Sequence, residues 1–282
     1  LALMSPGDLL LLPDPGYPDY LSGVSLGRVT YETFPLTAEN DFLPDLEAIP
    51  EETARRAKFI YINYPNNPTG AVATKAFYEK LVAWAKTYEV GVVSDLAYGA
   101  LGYQGYENPS FLSTPGAKDV GIEFYTFSKT FNMAGWRLAF AAGNAQMIEA
   151  LNLIQDHLFV GIFPALQEAG IVALLDTKSE EAVAQLNATY DSRRDAFVQA
   201  AAKIGWQAFP SRGSFYAWMP VPEGYTSESF ADLLLEKAHV AVAPGKGFGP
   251  AGDAYVRIGL LVDPERLVEA VNRITDLHLF DN

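Results

Sequence analysis

One lysine in this chain of 282 residues stands where an amine can do covalent chemistry. It lies in Thr126-Phe127-Ser128-Lys129-Thr130-Phe131-Asn132-Met133-Ala134-Gly135-Trp136-Arg137, just past an apolar run. An amine held there, among hydroxyls and aromatic rings, can lose its proton and form an imine with an aldehyde. Thr126, Ser128 and Arg137 add two hydroxyls and one fixed positive charge, a set that suits a phosphate dianion. Asp95 closes a second apolar run, 90–94. A carboxylate at that point can keep a pyridine nitrogen protonated, and such a ring draws off the electron pair of a carbanion. Tyr98, three residues on, can donate to a phenolic oxygen of that ring. So can the side-chain amide of Asn67, in Asn-Asn-Pro-Thr-Gly. Arg257 stands in Tyr-Val-Arg-Ile-Gly-Leu, an otherwise apolar stretch. A buried arginine needs an anion, and a guanidinium can hold a carboxylate through two parallel N–H bonds.

Taken singly, each feature has a plainer explanation. Lys129 alone reads as a surface lysine in a loop. Asp-x-x-Tyr reads as a helix N-cap and a core tyrosine, Asn-Pro-Thr-Gly as a turn, and Arg257 as half of a structural salt bridge. The elements that must position them add weight. Short apolar runs at 9–12, 29–34, 59–63, 90–94, 122–126 and 138–142 read as strands. Thr74 can cap a helix whose Phe77, Leu81, Trp84, Ala85 and Tyr88 recur at helical spacing. Strand 59–63, this helix and strand 90–94 make one βαβ unit and imply a parallel sheet. Helices are expected at 145–158, 179–204, 228–238 and 264–277, and further strands at 215–219 and 255–260. Lys129, Asp95 and Asn67 then all follow strand ends, where open parallel sheets bind ligands. A domain boundary is expected near 178, giving a large domain 1–178 and a smaller α+β domain 179–282. Residues 1–8 read as the tail of a helix closed by Pro6 and Gly7, so an N-terminal part is expected to be missing.

Composition narrows the classes of function. The formal net charge of −14 disfavours nucleic acid and anionic membranes as partners. With 49% hydrophobic and 13% aromatic residues, a sizeable core is available. The absence of cysteine excludes disulfides and thiolate chemistry. His157, His239 and His278 lie far apart without metal-ligand spacing, so no metal site is expected. No apolar run reaches membrane-spanning length and no signal peptide is visible, which makes a cytoplasmic location the expectation. Pro244-Gly245-Lys246-Gly247-Phe248-Gly249 lacks the spacing of a nucleotide-binding loop and reads as an irregular connection to the Arg257 strand.

Together these residues resemble the class I aminotransferases, pyridoxal-phosphate (PLP) enzymes of fold type I, over essentially the whole chain. The Asn-Pro-Thr-Gly turn, the Asp-x-x-Tyr pair, the Ser-Lys block with its following arginine, and the late strand arginine occur in the family's order. The resemblance implies an α/β fold with a mostly parallel central sheet flanked by helices, and a homodimer with shared active sites. It implies that Lys129 carries PLP covalently, Asp95 pairs with the pyridine nitrogen, and Asn67 and Tyr98 hold the ring oxygen. Thr126, Ser128 and Arg137 would hold the phosphate and Arg257 the substrate carboxylate. Tyr17, in Pro-Gly-Tyr, matches an aromatic beside the cofactor, with turn packing as its plain alternative. Phe215 matches a substrate-lining phenylalanine, against core packing.

Three stretches, 13–23, 152–157 and 220–225, resemble the branch that converts 4-methylsulfanyl-2-oxobutanoate to methionine with a glutamine-like amino donor. LL-diaminopimelate, aspartate and alanine-type aminotransferases share the skeleton. From Asn144 to Thr177 there is no Lys or Arg, which weighs against a dicarboxylate specialist. A PLP-dependent C–S lyase and a non-enzymatic sensor domain remain open. The sensor would need a basic DNA-binding domain, and the acidic charge disfavours one nearby.

Overall fold

A computed structural model describes residues 1–280. Six strands form one sheet: β1 (Leu9–Asp14), β2 (Thr30–Pro35), β3 (Ala57–Asn63), β4 (Gly91–Asp95), β5 (Gly121–Thr126) and β6 (Ala139–Gly143). Their order is β2-β1-β3-β4-β5-β6. All neighbours are parallel except β5 and β6. Strand side chains alternate between the two faces of a sheet, and β1 shows the consequence. Leu9 and Leu11 join the core under helix Lys75–Tyr88, with Ile60, Ile62, Leu81 and Val92. Leu10 and Leu12 face the other way and pack with Phe59, Val93 and Ile122. Both faces are covered, so the strand reads as an unbroken leucine run instead of an alternating one.

Helix Lys75–Tyr88 begins where expected. The Thr74 hydroxyl accepts the Phe77 N–H at 3.1 Å, and Phe77, Tyr78, Leu81, Val82 and Ala85 form its buried stripe. The long helix spans Thr177–Lys203. Its C-terminal half adds Phe197, Ala200 and Ala201 to a second core with Trp206, Met219, Phe230, Val256 and Leu267. That core lies on a small antiparallel sheet, order β7-β9-β8, of β7 (Tyr216–Pro220), β8 (Ala243–Pro244) and β9 (Tyr255–Gly259).

Three expectations are corrected. Residues 1–8 contain no helix. They turn instead, with the Ser5 N–H on Asp8 Oδ2 at 2.7 Å and Gly7 at φ 91°. Serine and aspartate stabilise such turns by bonding the local backbone, which competes with helix. The helix expected at 145–158 is α-helical only over Ala145–Ile154 and continues as a π-helix, Gln155–Phe159. The helix expected at 228–238 divides likewise, α over Ser227–Leu233 and π over Leu234–Ala238. Apolar spacing does not distinguish α from π winding over a single turn. Among the described residues no helix is long and apolar enough to cross a membrane. No cluster of three or more His, Asp or Glu among them offers itself to a metal.

Candidate active site

Four parallel strands deliver the sequence-predicted residues to one end of the large sheet. Tyr17 follows β1, Asn67 follows β3, Asp95 ends β4, and Lys129 lies just past β5 in the short helix Phe127–Thr130. The chain order reverses beside β1, so this is the carboxyl edge at which such sheets form a crevice. Tight turns set the side chains. Asn63 Oδ1 accepts the Asn67 N–H at 2.9 Å, and Asn63 Nδ2 donates to the Asp95 carbonyl at 2.9 Å. One asparagine thereby ties the β3 and β4 loops together. Gly70, at φ 71°, ends the Asn-Pro-Thr-Gly turn. A Cβ there would fall 2.3 Å from Ser211 Oγ, so only glycine allows the second sheet's approach to close against the turn.

Contacts join the residues into one cluster. The Arg257 guanidinium donates to Asn67 Oδ1 at 2.7 Å. It lies over the rings of Tyr216 and Phe248, 4.2 and 4.5 Å from their centroids. The Tyr216 and Tyr98 hydroxyls are 3.4 Å apart. Lys129 Nζ sits over the rings of Tyr98 and Phe215, at 5.9 and 5.5 Å. Asp95 Oδ2 accepts the Tyr20 hydroxyl at 2.7 Å, and the Tyr20 ring meets Tyr17 edge-on at 5.6 Å. Tyr17 turns its own hydroxyl to Asp19 at 2.5 Å, and that carboxylate pushes the phenol up to about 12.

The electrostatics follow from burial. Burial pushes the Lys129 amine below the ordinary lysine range, and the Arg137 and Arg257 charges push it the same way. Burial also lowers Arg257 and raises the Asp95 carboxyl, the latter against the hydrogen bonds from Tyr20 and the Ala97 backbone. Among the described residues, Lys129, Arg137 and Arg257 form no ion pair with a carboxylate. The Arg137 and Arg257 charges both act on Lys129 and make a locally positive patch in a chain of charge −14.

The phosphate-type residues are less enclosed. The Thr126 hydroxyl accepts the Ser128 N–H at 3.2 Å and bonds the Ser128 hydroxyl at 3.0 Å. Arg137 is exposed, left-handed at φ 53°, and donates to the Ala134 carbonyl at 3.1 Å. Three residues of the cluster lie outside the sequence expectations. Tyr20 lies inside stretch 13–23 and Tyr216 directly follows Phe215, and neither stretch assigns them a role. Phe248 lies inside the glycine-rich stretch 244–249, and the aromatic in that stretch is its only signal.

The chain is similar to known proteins over nearly its whole length. A model for aminotransferase class I and II matches residues 1–274. The L-glutamine–4-(methylsulfanyl)-2-oxobutanoate aminotransferase of Bacillus subtilis (strain 168) is 57% identical over 278 residues, 99% of this chain and 69% of that protein. The LL-diaminopimelate aminotransferase of Moorella thermoacetica is 49% identical over 274 residues, 97% of this chain and 70% of that protein. Among solved structures, substrate-bound BacF from Bacillus subtilis matches with a TM-score of 0.93 at 46% identity. The match covers 99% of this chain and 70% of that one.

Proposed function

The chain belongs to the class I and II aminotransferases, and we propose that it uses pyridoxal phosphate on Lys129 to make methionine from 4-methylsulfanyl-2-oxobutanoate, with glutamine as amino donor. The observation that carries this is the pairing of a half-buried amine and a half-buried guanidinium on one aromatic floor. Lys129 and Arg257 flank Tyr98, Phe215 and Tyr216, and neither is neutralised by a carboxylate of the described residues. The likeness to the Bacillus subtilis enzyme, and the lack of Lys and Arg from Asn144 to Thr177, support a substrate with an uncharged side chain.

The residues fit the cofactor. Asp95 supplies an anion for a ring nitrogen, while Asn67 and Tyr98 supply donors for a ring oxygen. Thr126, Ser128 and Arg137 supply hydroxyls and charge for a phosphate. When bound, PLP supplies an aldehyde to carry the amino group and a ring that draws off the electron pair left at the substrate α-carbon. Arg257 holds the substrate α-carboxylate by two parallel N–H bonds. Lys129, its pKa lowered by burial and by the neighbouring arginines, serves as a neutral amine. It takes the α-proton and returns it. Phe215 lines the substrate side and keeps water from it.

The same reading takes residues 1–178 and 179–282 as the large and small domains. It takes the active assembly as a homodimer with shared sites. The exposed Leu158, Phe159, Val160, Phe163 and Leu175 offer apolar area for a second copy.

The test is methionine formation from glutamine and 4-methylsulfanyl-2-oxobutanoate. Wild-type protein should turn over repeatedly, and Lys129→Ala should lose on the order of a thousandfold or more. Undiminished turnover by the variant would remove Lys129 from its role. Preference for LL-diaminopimelate over methionine, in the same assay, would move the chain to the branch of its 49% identical relative.

A further inference from the structure

The Arg257 guanidinium carbon lies over two rings from separate segments, Tyr216 at the start of β7 and Phe248 in the 244–249 stretch. The loop that carries Phe248 is fixed from the large sheet. The Phe248 carbonyl accepts the Gly16 N–H at 2.7 Å, and Asp14 Oδ1, at the end of β1, accepts the Ala251 N–H at 3.0 Å. Gly249, at φ 132°, lets the backbone pass this carboxylate; a Cβ there would lie 2.1 Å from Asp14 Oδ1. The Phe248 ring rests edge-on against Trp218, which stands opposite Arg257 in the sheet register.

We propose that Phe248 and Tyr216 are positioning residues that clamp the Arg257 guanidinium between their rings, so that it presents only its N–H edge and thereby selects a planar carboxylate. This rests on the reading of Arg257 as the holder of the substrate α-carboxylate. A guanidinium's donors lie in its own plane, and aromatic rings attract its faces while offering them no acceptor. Asn67 Oδ1 takes one donor and fixes the rotation about the ring-to-ring axis. The edge that remains is a fork with one orientation, matched to two oxygens and mismatched to the single oxygen and NH₂ of a carboxamide.

The test compares 4-(methylsulfanyl)butanoate, which has no amino group to react, with 4-(methylsulfanyl)butanamide. Binding of each to the full-length chain loaded with PLP is measured calorimetrically. KM and kcat are measured for methionine and methioninamide. Wild-type protein should prefer the carboxylate, and Arg257→Gln should abolish the preference. Phe248→Met keeps apolar volume but removes the ring. It should weaken carboxylate binding on the order of tenfold, leave the amide within about twofold, and raise KM for methionine more than it lowers kcat. Tyr216→Leu should do the same from the other face, and Phe248→Tyr should restore the preference. An undiminished preference in both ring-deleting variants overturns the clamp, as does an equal loss for carboxylate and amide, which is the mark of packing alone. If wild-type protein itself shows no preference, or Arg257→Gln keeps it, the underlying reading of Arg257 fails instead.

Discussion

Lys129 and Arg257 are both cations of one cluster, yet the fold treats them in opposite ways. Lys129 stands on a four-residue helix, Phe127–Thr130, with its amine over two rings at more than 5 Å and no hydrogen-bond partner among the described residues. Arg257 lies in the middle of β9, paired on both sides by β7 and β8, with rings at 4.2 and 4.5 Å and Asn67 on its edge. On the proposed mechanism, the group that swings and sheds a proton sits on a short element. The group that keeps its charge and its aim sits within a sheet, with its guanidinium over two rings. Burial lowers both affinities for protons. Only the lysine starts from a value at which that brings deprotonation within reach.

This contrast can be broken by exchanging the treatments. Arg257→Lys keeps the charge but supplies a flexible point charge in place of a flat fork. KM for methionine should rise roughly 30-fold, from the loss of one charge-assisted hydrogen bond and of ring stacking. Near-normal KM would mean that charge alone suffices at that position. A smaller effect sharpens the other side. Arg137→Gln removes one of the two charges that depress Lys129. Loss of a neighbouring cation favours the protonated amine, so its midpoint should move up. In protein stripped of cofactor, labelling of Lys129 by an aldehyde reagent requires the neutral amine, and it should need higher pH in the variant. An unchanged midpoint would show that burial and not charge sets the amine's state.

Much of this arrangement is legible in the amino-acid sequence, for a physical reason. Strands buried on both faces appear as apolar runs, and parallel sheets put chemistry at their carboxyl ends. Reading where runs 59–63, 90–94 and 122–126 stop is therefore enough to group Asn67, Asp95 and Lys129. What escapes is pairing over distance. Tyr20 and Asp95 are 75 positions apart, and Arg257 and Asn67 are 190 apart. The first pair is hidden because the Pro-Asp-Tyr-Leu stretch carries a resemblance but no signal of what Tyr20 bonds. The second is visible only as two separate residues. Phe248 is masked because glycines on both sides read as irregular loop, when one of them makes room for a carboxylate from the other sheet. The turn at residues 1–8 reads as a helix end because Pro6 and Gly7 punctuate helices and turns alike.

The crowding of Gly249 against Asp14 has a consequence for how the sequence can vary. Positions 14 and 249 behave as a single site written twice, near opposite ends of the chain. A larger residue at 249 would be strained at φ 132° and would also need the residue at 14 to shrink, and a shortened residue 14 would leave the Ala251 amide unanswered. Homologous chains should thus keep the acid and the glycine together or lose them together, and grafting either half from another branch without the other should misalign the arginine's neighbours.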